Sequence, residues 1–387
     1  MASTTNELLR RFRPDRLDAI MLAAVVVLLA ALGLTILRGD QTGGSAARPA
    51  TSAQILYMGP VKALVRDLFT VSANGGAPQQ LTKSRFGVDS FAIAADGRIA
   101  FSELVQVDDK QNTNIMLYEG GKITVVYTCE DASCTEVAIR PDGNVIAFDR
   151  SDNNSGTGLA PGAPRVWLLD LTTGKAGRLF DDSQKIGYMP RWSPDGTRIA
   201  LWDSNRGGIV LYNFTTREES SVPAYGGRVG EFSPDGARIW FTRVIEVQDA
   251  ASGASQYVTH ITIADISVQP YKLHDLILDS DPSDDTDPIW SADGKALYVL
   301  RRPAGSGLDQ ERQIYQLDST TGAALPLVQD KAYAHSNLAL DRAGNTLTFE
   351  RFKLGGAGAT PEVWSYDLKT KALRLVIADG MVPQWLP

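Results

Sequence analysis

Between residues 279 and 287 the chain reads Asp279-Ser280-Asp281-Pro282-Ser283-Asp284-Asp285-Thr286-Asp287, with a side-chain oxygen at every second position from 279. Ca2+ favours roughly six to eight hard oxygen ligands, so Asp279, Asp281, Asp285 and Asp287 are a candidate Ca2+ site. The segment departs from an EF-hand loop. Asp284 stands where the sixth-position glycine belongs, and Trp290 stands where the bidentate glutamate belongs. A solvated acidic loop that binds nothing is the preferred reading. Beyond this candidate ion, no cofactor is implied.

The histidines are His260, His274 and His335. None belongs to a His-Glu-x-x-His pair, and no Gly-x-Ser-x-Gly elbow is present, so neither a zinc-protease nor a serine-hydrolase centre is legible. No catalytic residue is assigned. His260 falls in the apolar run Tyr257 to Ala264 and reads as structural, whereas His335 precedes a predicted inner strand and could approach a central channel. Thr172-Thr173-Gly174-Lys175 lacks the upstream glycine and the following hydroxyl of a phosphate loop, and reads as a hairpin turn. Cys129 and Cys134 are the only cysteines. In an oxidising compartment they form a candidate disulfide worth roughly 2 kcal/mol by loop entropy, with a free thiol pair as the alternative.

The elements that position these residues come from a repeat. Pro190-Arg191-Trp192-Ser193-Pro194-Asp195-Gly196 returns as Pro288-Ile289-Trp290-Ser291-Ala292-Asp293-Gly294, and alignment on the glycine gives copies at 97, 143, 196, 236, 294 and 344. The spacings of 46, 53, 40, 58 and 50 residues are those of propeller blades. Four residues before each glycine stands a large apolar side chain: Ile93, Ile139, Trp192, Phe232, Trp290 and Leu340. Pro194 and Asp195 set a tight turn, and Gly196 supplies the left-handed residue that sends the chain back as a strand. Two further β-rich runs complete each unit, giving four antiparallel strands, A to D from the inside out.

Outer strands are expected to end near Thr82, Thr128, Phe180, Val222, Leu273, Val328 and Ile377. That is seven, against six complete A–B hairpins. The first unit supplies strands B to D only, and Pro383-Gln384-Trp385 at the end of the chain opens the same signature. Residues 382–387, with Pro383 and Trp385 in the repeat's positions, are expected to close the ring as strand A of the first blade, which removes open sheet edges. The predicted fold is thus an all-β, seven-bladed β-propeller over residues 54–387, with six blades as the alternative. Strand direction places the A–B and C–D turns on one face and the B–C connections on the other. Long B–C loops are expected over 103–113, 151–164, 244–256, 303–311 and 352–361, which makes that face the better binding face.

At Trp192 to Gly196, Phe232 to Gly236 and Trp290 to Gly294, and in Asp67-Leu68-Phe69-Thr70-Val71 leading to Gln80-Leu81-Thr82, the chain resembles the TolB-type propeller repeat. The resemblance covers residues 53–387. TolB proper implies a separate α/β domain before the propeller, and dipeptidyl-peptidase-like relatives imply a hydrolase domain after it. Neither is expected here. WD-repeat proteins are less similar, since the Gly-His element is missing.

The apolar content of 43% suffices for cores between sheets, and the net charge of −7 excludes the basic footprint of a nucleic-acid binder. Residues 19–37 carry no charge and as a helix would span roughly 28 Å. Arg10, Arg11, Arg13 and Arg16 precede them, and Arg38 follows. The expected layout is a basic cytoplasmic tail over 1–18, a single-pass transmembrane helix over 19–38, and a flexible linker over 39–53. The positive-inside rule then puts the propeller outside the cytoplasm, in the periplasm or at the cell surface. A cleaved signal peptide is the alternative to the anchor. The expected role is a membrane-tethered scaffold or accessory subunit for protein partners in or near the membrane, without enzymatic activity. A sensor of a small molecule, glycan or Ca2+ is the first alternative, and a propeller enzyme of lactonase or lyase type the second.

Overall fold

The structure, a computed structural model, describes residues 53–387 except 108–109, 155–159, 225, 227, 249–252, 305–309 and 356–357. The tail, helix and linker expected over 1–53 lie outside the described residues, apart from Ala53. Among the described residues no helix is long and apolar enough to cross a membrane.

Seven sheets follow one another around a ring, six of four strands and one of three. In blade 1 the strands Gln54–Gly59, Asp67–Ser72 and Gln79–Gln80 are joined on the inside by Met381–Trp385, the last strand of the chain. Ile55 pairs with Trp385 and Leu56 with Gln384, and the Leu386 N–H donates to the Gln54 carbonyl at 2.9 Å. Blades 2 to 4, 6 and 7 begin with inner strands Val88–Ile93, Ala132–Ile139, Tyr188–Trp192, Asp284–Trp290 and Tyr333–Leu340. Blade 5 differs. Its inner segment is reduced to a single bridge between Phe232 and Ile239. There the chain lies so close to the next strand that a Cβ on Gly230 would stand 1.5 Å from the Trp240 carbonyl oxygen, so only glycine fits.

The repeat's turn shows why it recurs. Gly196 has φ of +69°, and the Ser193 hydroxyl donates to Asp195 while accepting from the Arg198 N–H at 2.9 Å. Ser233 and Ser291 repeat this arrangement with Asp235 and Asp293. Each turn therefore satisfies its own polar groups, and the flanking strands are left to bury apolar side chains against the neighbouring blades. Trp385 on one side of the closing strand joins a cluster with Ile55, Tyr57, Val363 and Val376 of blades 1 and 7. Met381, Val382 and Leu386 join Leu56, Met58, Phe91 and Phe101 of blades 1 and 2.

Two of the expected long loops are instead strands. Ile99–Val107 pairs with Lys110–Glu119, and Arg238–Gln248 pairs with Ser255–Asp265, so the ladders continue through 103–107 with 110–113 and through 244–248 with 255–256. The alternation Val105, Val107 and Ile245, Val247 was the sequence signal for this, because residues two apart share one face of a strand.

Candidate functional site

The inner strands run from the long-loop face toward the turn face and enclose a central channel. Two adjoining cavities occupy it, of about 710 and 550 Å3, which share Ile93, Ile139, Glu231 and Gln384 in their linings. Toward the turn face the walls carry the repeat's large side chains, including Phe232, Trp290 and Trp385, beside Glu231, Arg342 and Gln384. Deeper in, the walls turn polar, with Asp89, Glu136, Arg191, Asn337 and Gln384. The change follows from a bulge shared by five inner strands. Glu136, Met189, Asp287, Asn337 and Val382 all take positive φ, between 48° and 57°, and each stands three residues before the repeat's apolar position. Register shifts in the ladders mark the same points. A bulge re-aims side chains, and here it breaks the alternation that would otherwise continue the apolar lining. Carboxylates from the second strands anchor two of the bulges across blade boundaries. Asp149 accepts from the Met189 N–H at 3.0 Å, and Glu350 accepts from the Val382 N–H at 3.2 Å and the Asn337 amide at 2.7 Å.

The channel has more carboxylates than cations. Glu136 and Arg191 approach to 3.6 Å. Asp89 is held above the usual carboxylate range by loss of solvent and then by the charge of Glu136, against a hydrogen bond from Ser90. Glu231 is open to the channel yet ringed by protein, and loss of bulk water raises its pKa while Arg191 opposes the rise. Asp149 is buried behind this belt and pushed up to about 8, chiefly by burial, with the Met189 N–H and Arg191 acting against it and Glu136 adding to it. Between the unfolded value near 4 and the folded value near 8, the folded state keeps a proton that the unfolded state releases, so Asp149 lowers stability as pH rises through that window. Asp149→Asn keeps the acceptor and removes the titration. In urea unfolding its stability relative to wild type is expected to climb from near zero at about pH 4 to about 1–3 kcal/mol at about pH 8. A difference that stays flat across the series would show that the carboxyl does not titrate there.

No protein-family model matches the chain, and no curated protein matches it. Among solved structures, TolB from Acinetobacter baumannii matches with a TM-score of 0.50 at 17% identity, over 87% of this chain and 67% of that one. The fold is that of a TolB-like β-propeller. An oligogalacturonate lyase in complex with manganese matches this TolB-like ring with a TM-score of 0.55 at 15% identity, over 85% of this chain and 86% of that one. A puromycin hydrolase matches with a TM-score of 0.57 at 13% identity, over 85% of this chain and 52% of that one. At these identities the likeness carries the fold and no activity.

In the TolB-like ring the acidic run does not form an ion cage. Asp279 pairs with Arg243 at 2.9 Å, Asp285 with Arg301 at 2.7 Å through both oxygens, and Asp287 with Arg228 at 3.2 Å. Asp281 accepts from the Ser283 N–H at 2.8 Å. Among the described residues no group of three His, Cys, Asp or Glu side chains is placed to hold a metal. The run is a loop only up to Ser283: the inner strand of blade 6 begins at Asp284, and its successive side chains diverge to different partners. Cys129 and Cys134 are bonded and buried, closing the entry to the inner strand of blade 3. His260 is buried against the carbonyls of Asp281 and Ser283, and His274 bonds the Thr320 carbonyl. His335 does not line the channel. It packs on Phe349 with Nδ1 toward the Arg312 carbonyl, and burial drives its pKa down to about 4. Pro383 and Trp385 stand on the closing strand, as the repeat requires. Sequence reasoning missed the channel carboxylates, since Asp89, Glu136 and Glu231 share no motif.

Proposed function

We propose that this chain is a membrane-tethered, extracytoplasmic binding module whose long-loop face receives a protein partner in or near the membrane. One observation carries the proposal. Among the described residues ten large apolar side chains are conspicuously exposed, and five of them, Leu64, Val244, Tyr257, Leu278 and Phe352, belong to the long-loop face, while the other five lie on outermost strands. Tyr257 is 68% and Leu278 76% exposed, apolar surface that a bound partner would remove from water. Tyr257 and Val244 stand on the hairpin that projects from blade 5, where they are presented away from the ring. A tether in the N-terminal segment would raise the local concentration of the ring around membrane neighbours. The engagement of all three histidines by the surrounding structure favours binding over catalysis.

The test is affinity purification of the full chain from native membranes in mild detergent, alongside a Val244→Glu, Tyr257→Glu double variant. A defined protein is expected to co-purify with wild type and to be lost from the variant at unchanged melting temperature. Retention of that protein by the variant would move the interface elsewhere. A second function, binding of a small ligand, is favoured by Asp89, Glu136, Arg191 and Glu231 around the 550 Å3 cavity, a size suited to small molecules. It would replace the first if the protein purified alone and released a defined compound.

A further inference from the structure

On the turn face the blades are clasped by arginines. A Cβ placed on Gly143, Gly196, Gly236 or Gly294 would meet, in each case, an arginine from the preceding blade: Arg98, Arg140, Arg198 and Arg238 in turn. Three of these guanidinium groups donate to a carbonyl of the turn they reach. Arg98 reaches Asp142 at 3.4 Å, Arg198 reaches Gly236, and Arg238 reaches Gly294 at 2.7 Å. Three of them also lie over the repeat's aromatic residue in the next blade, Arg140 over Trp192, Arg198 over Phe232 and Arg238 over Trp290. The same seat thus recurs at successive blade boundaries: a guanidinium fills it at Gly143, Gly236 and Gly294, whereas at Gly196 the stem of Arg140 does, its guanidinium being held by Asp142.

Between blades 6 and 7 the series stops. The residue two after the turn glycine, arginine at 198 and 238, is Ala296, and the atom nearest a Cβ on Gly344 is the methyl of Ala292 at 2.8 Å. What stands there is a cleft of about 420 Å3, lined by Asp293, Tyr298, Gln316, Asp318 and Gly344 and edged by Lys295. Asp293 and Asp318 each use Oδ1 for their own turns, accepting from Lys295 N–H in the first and from Thr320 and Thr321 N–H in the second. Lys295 reaches only to 3.9 Å of Asp293 Oδ2, with its side chain 84% exposed.

We propose that this cleft is a receptor for a guanidinium group supplied from outside the ring, either the side chain of an arginine on a partner or a small guanidinium compound. The Gly344 carbonyl corresponds to the one that Arg238 caps at Gly294, and the two carboxylates and the Gln316 amide supply acceptors for a planar, multiply donating cation. The cleft opens on the face opposite the long loops, so the inference is independent of the docking face proposed above.

Ala296→Arg restores the missing side chain from within. It is expected to raise the thermal midpoint by about 2–4 °C, and a lowered midpoint would mean that the seat does not accept the group. Titrations of the full chain by NMR with agmatine and with N-acetyl-arginine amide are expected to show millimolar binding, weakened about tenfold or more in Ala296→Arg. Asp318→Asn, which keeps Oδ1 for its turn, is expected to weaken binding about threefold. Tighter binding of agmatine assigns a small compound as the source, and equal or tighter binding of the arginine amide assigns a protein side chain. No binding up to about 10 mM, undiminished binding to Ala296→Arg, or an equal response to n-pentylamine would overturn the proposal.

Discussion

Deleting residues 381–387 is expected to cost about 5 kcal/mol or more, the larger part of what a typical domain has to lose. Both faces of the closing strand are in use, Trp385 toward blade 7 and Met381, Val382 and Leu386 toward blade 2, so its removal opens two inter-blade cores at once. It also uncovers the edge of Gln54–Gly59, whose residues Ile55 to Met58 are buried. The Val382 N–H that Glu350 accepts is lost as well, which leaves a carboxylate from blade 7 short of a partner. Near-UV circular dichroism during a thermal ramp would read the outcome. A truncated protein that melts with wild type would show that the ring does not depend on its closure. Trp385→Ala, which removes one face of the contact and keeps the strand, is expected to fall between the two.

Replacing Arg301 with methionine is expected to destabilise the protein by about 3–5 kcal/mol, the range for breaking a buried ion pair from one side. Asp285 has no exposed surface, and both of its oxygens are held at 2.7 Å by the Arg301 guanidinium. Without that group the carboxyl must take a proton or remain charged in an apolar setting, since His260, its buried neighbour, already points Nε2 at two carbonyls. The double variant Arg301→Met, Asp285→Leu is expected to recover more than half of the loss, because the stranded charge goes with its partner. Chemical denaturation followed by tryptophan fluorescence measures both. A single variant within about 1 kcal/mol of wild type would mean that the pair is dispensable.

The architecture was legible because blades 2 to 7 repeat a tight glycine turn whose chemistry is local: in blades 4 to 6 a serine and an aspartate satisfy each other within it. Blade count and closure followed from a single orphan, Trp385 in its Pro-x-Trp setting. What stayed hidden depends on neighbours remote in sequence. The bulge at Glu136, Met189, Asp287, Asn337 and Val382 has no common residue type, and its carboxylate anchors, Asp149 and Glu350, lie in the preceding blade. The partners of the acidic run at 279–287 were hidden for the same reason. Oxygen spacing along the chain suggested convergence, while the arginines that separate those carboxylates, Arg228, Arg243 and Arg301, come from three other segments. The strands that continue through 103–107 and 244–248 were also missed, although the apolar alternation runs on at Val105, Val107, Ile245 and Val247.

The join in blade 1 falls where every other four-stranded blade has its Pro-Asp-Gly or equivalent turn between strands A and B. Leu386 is hydrogen-bonded to Gln54, so the two strand ends stand a turn's length apart. A short Ser-Pro-Asp-Gly bridge from the end of Met381–Trp385 to the start of Gln54–Gly59 would make blade 1 the equal of its neighbours. New ends could then be opened in the connection between Arg238–Gln248 and Ser255–Asp265. In that circular permutant the position at which the ring is cut becomes a matter of choice, and the propeller can be attached to a surface or a fusion partner by its long-loop side.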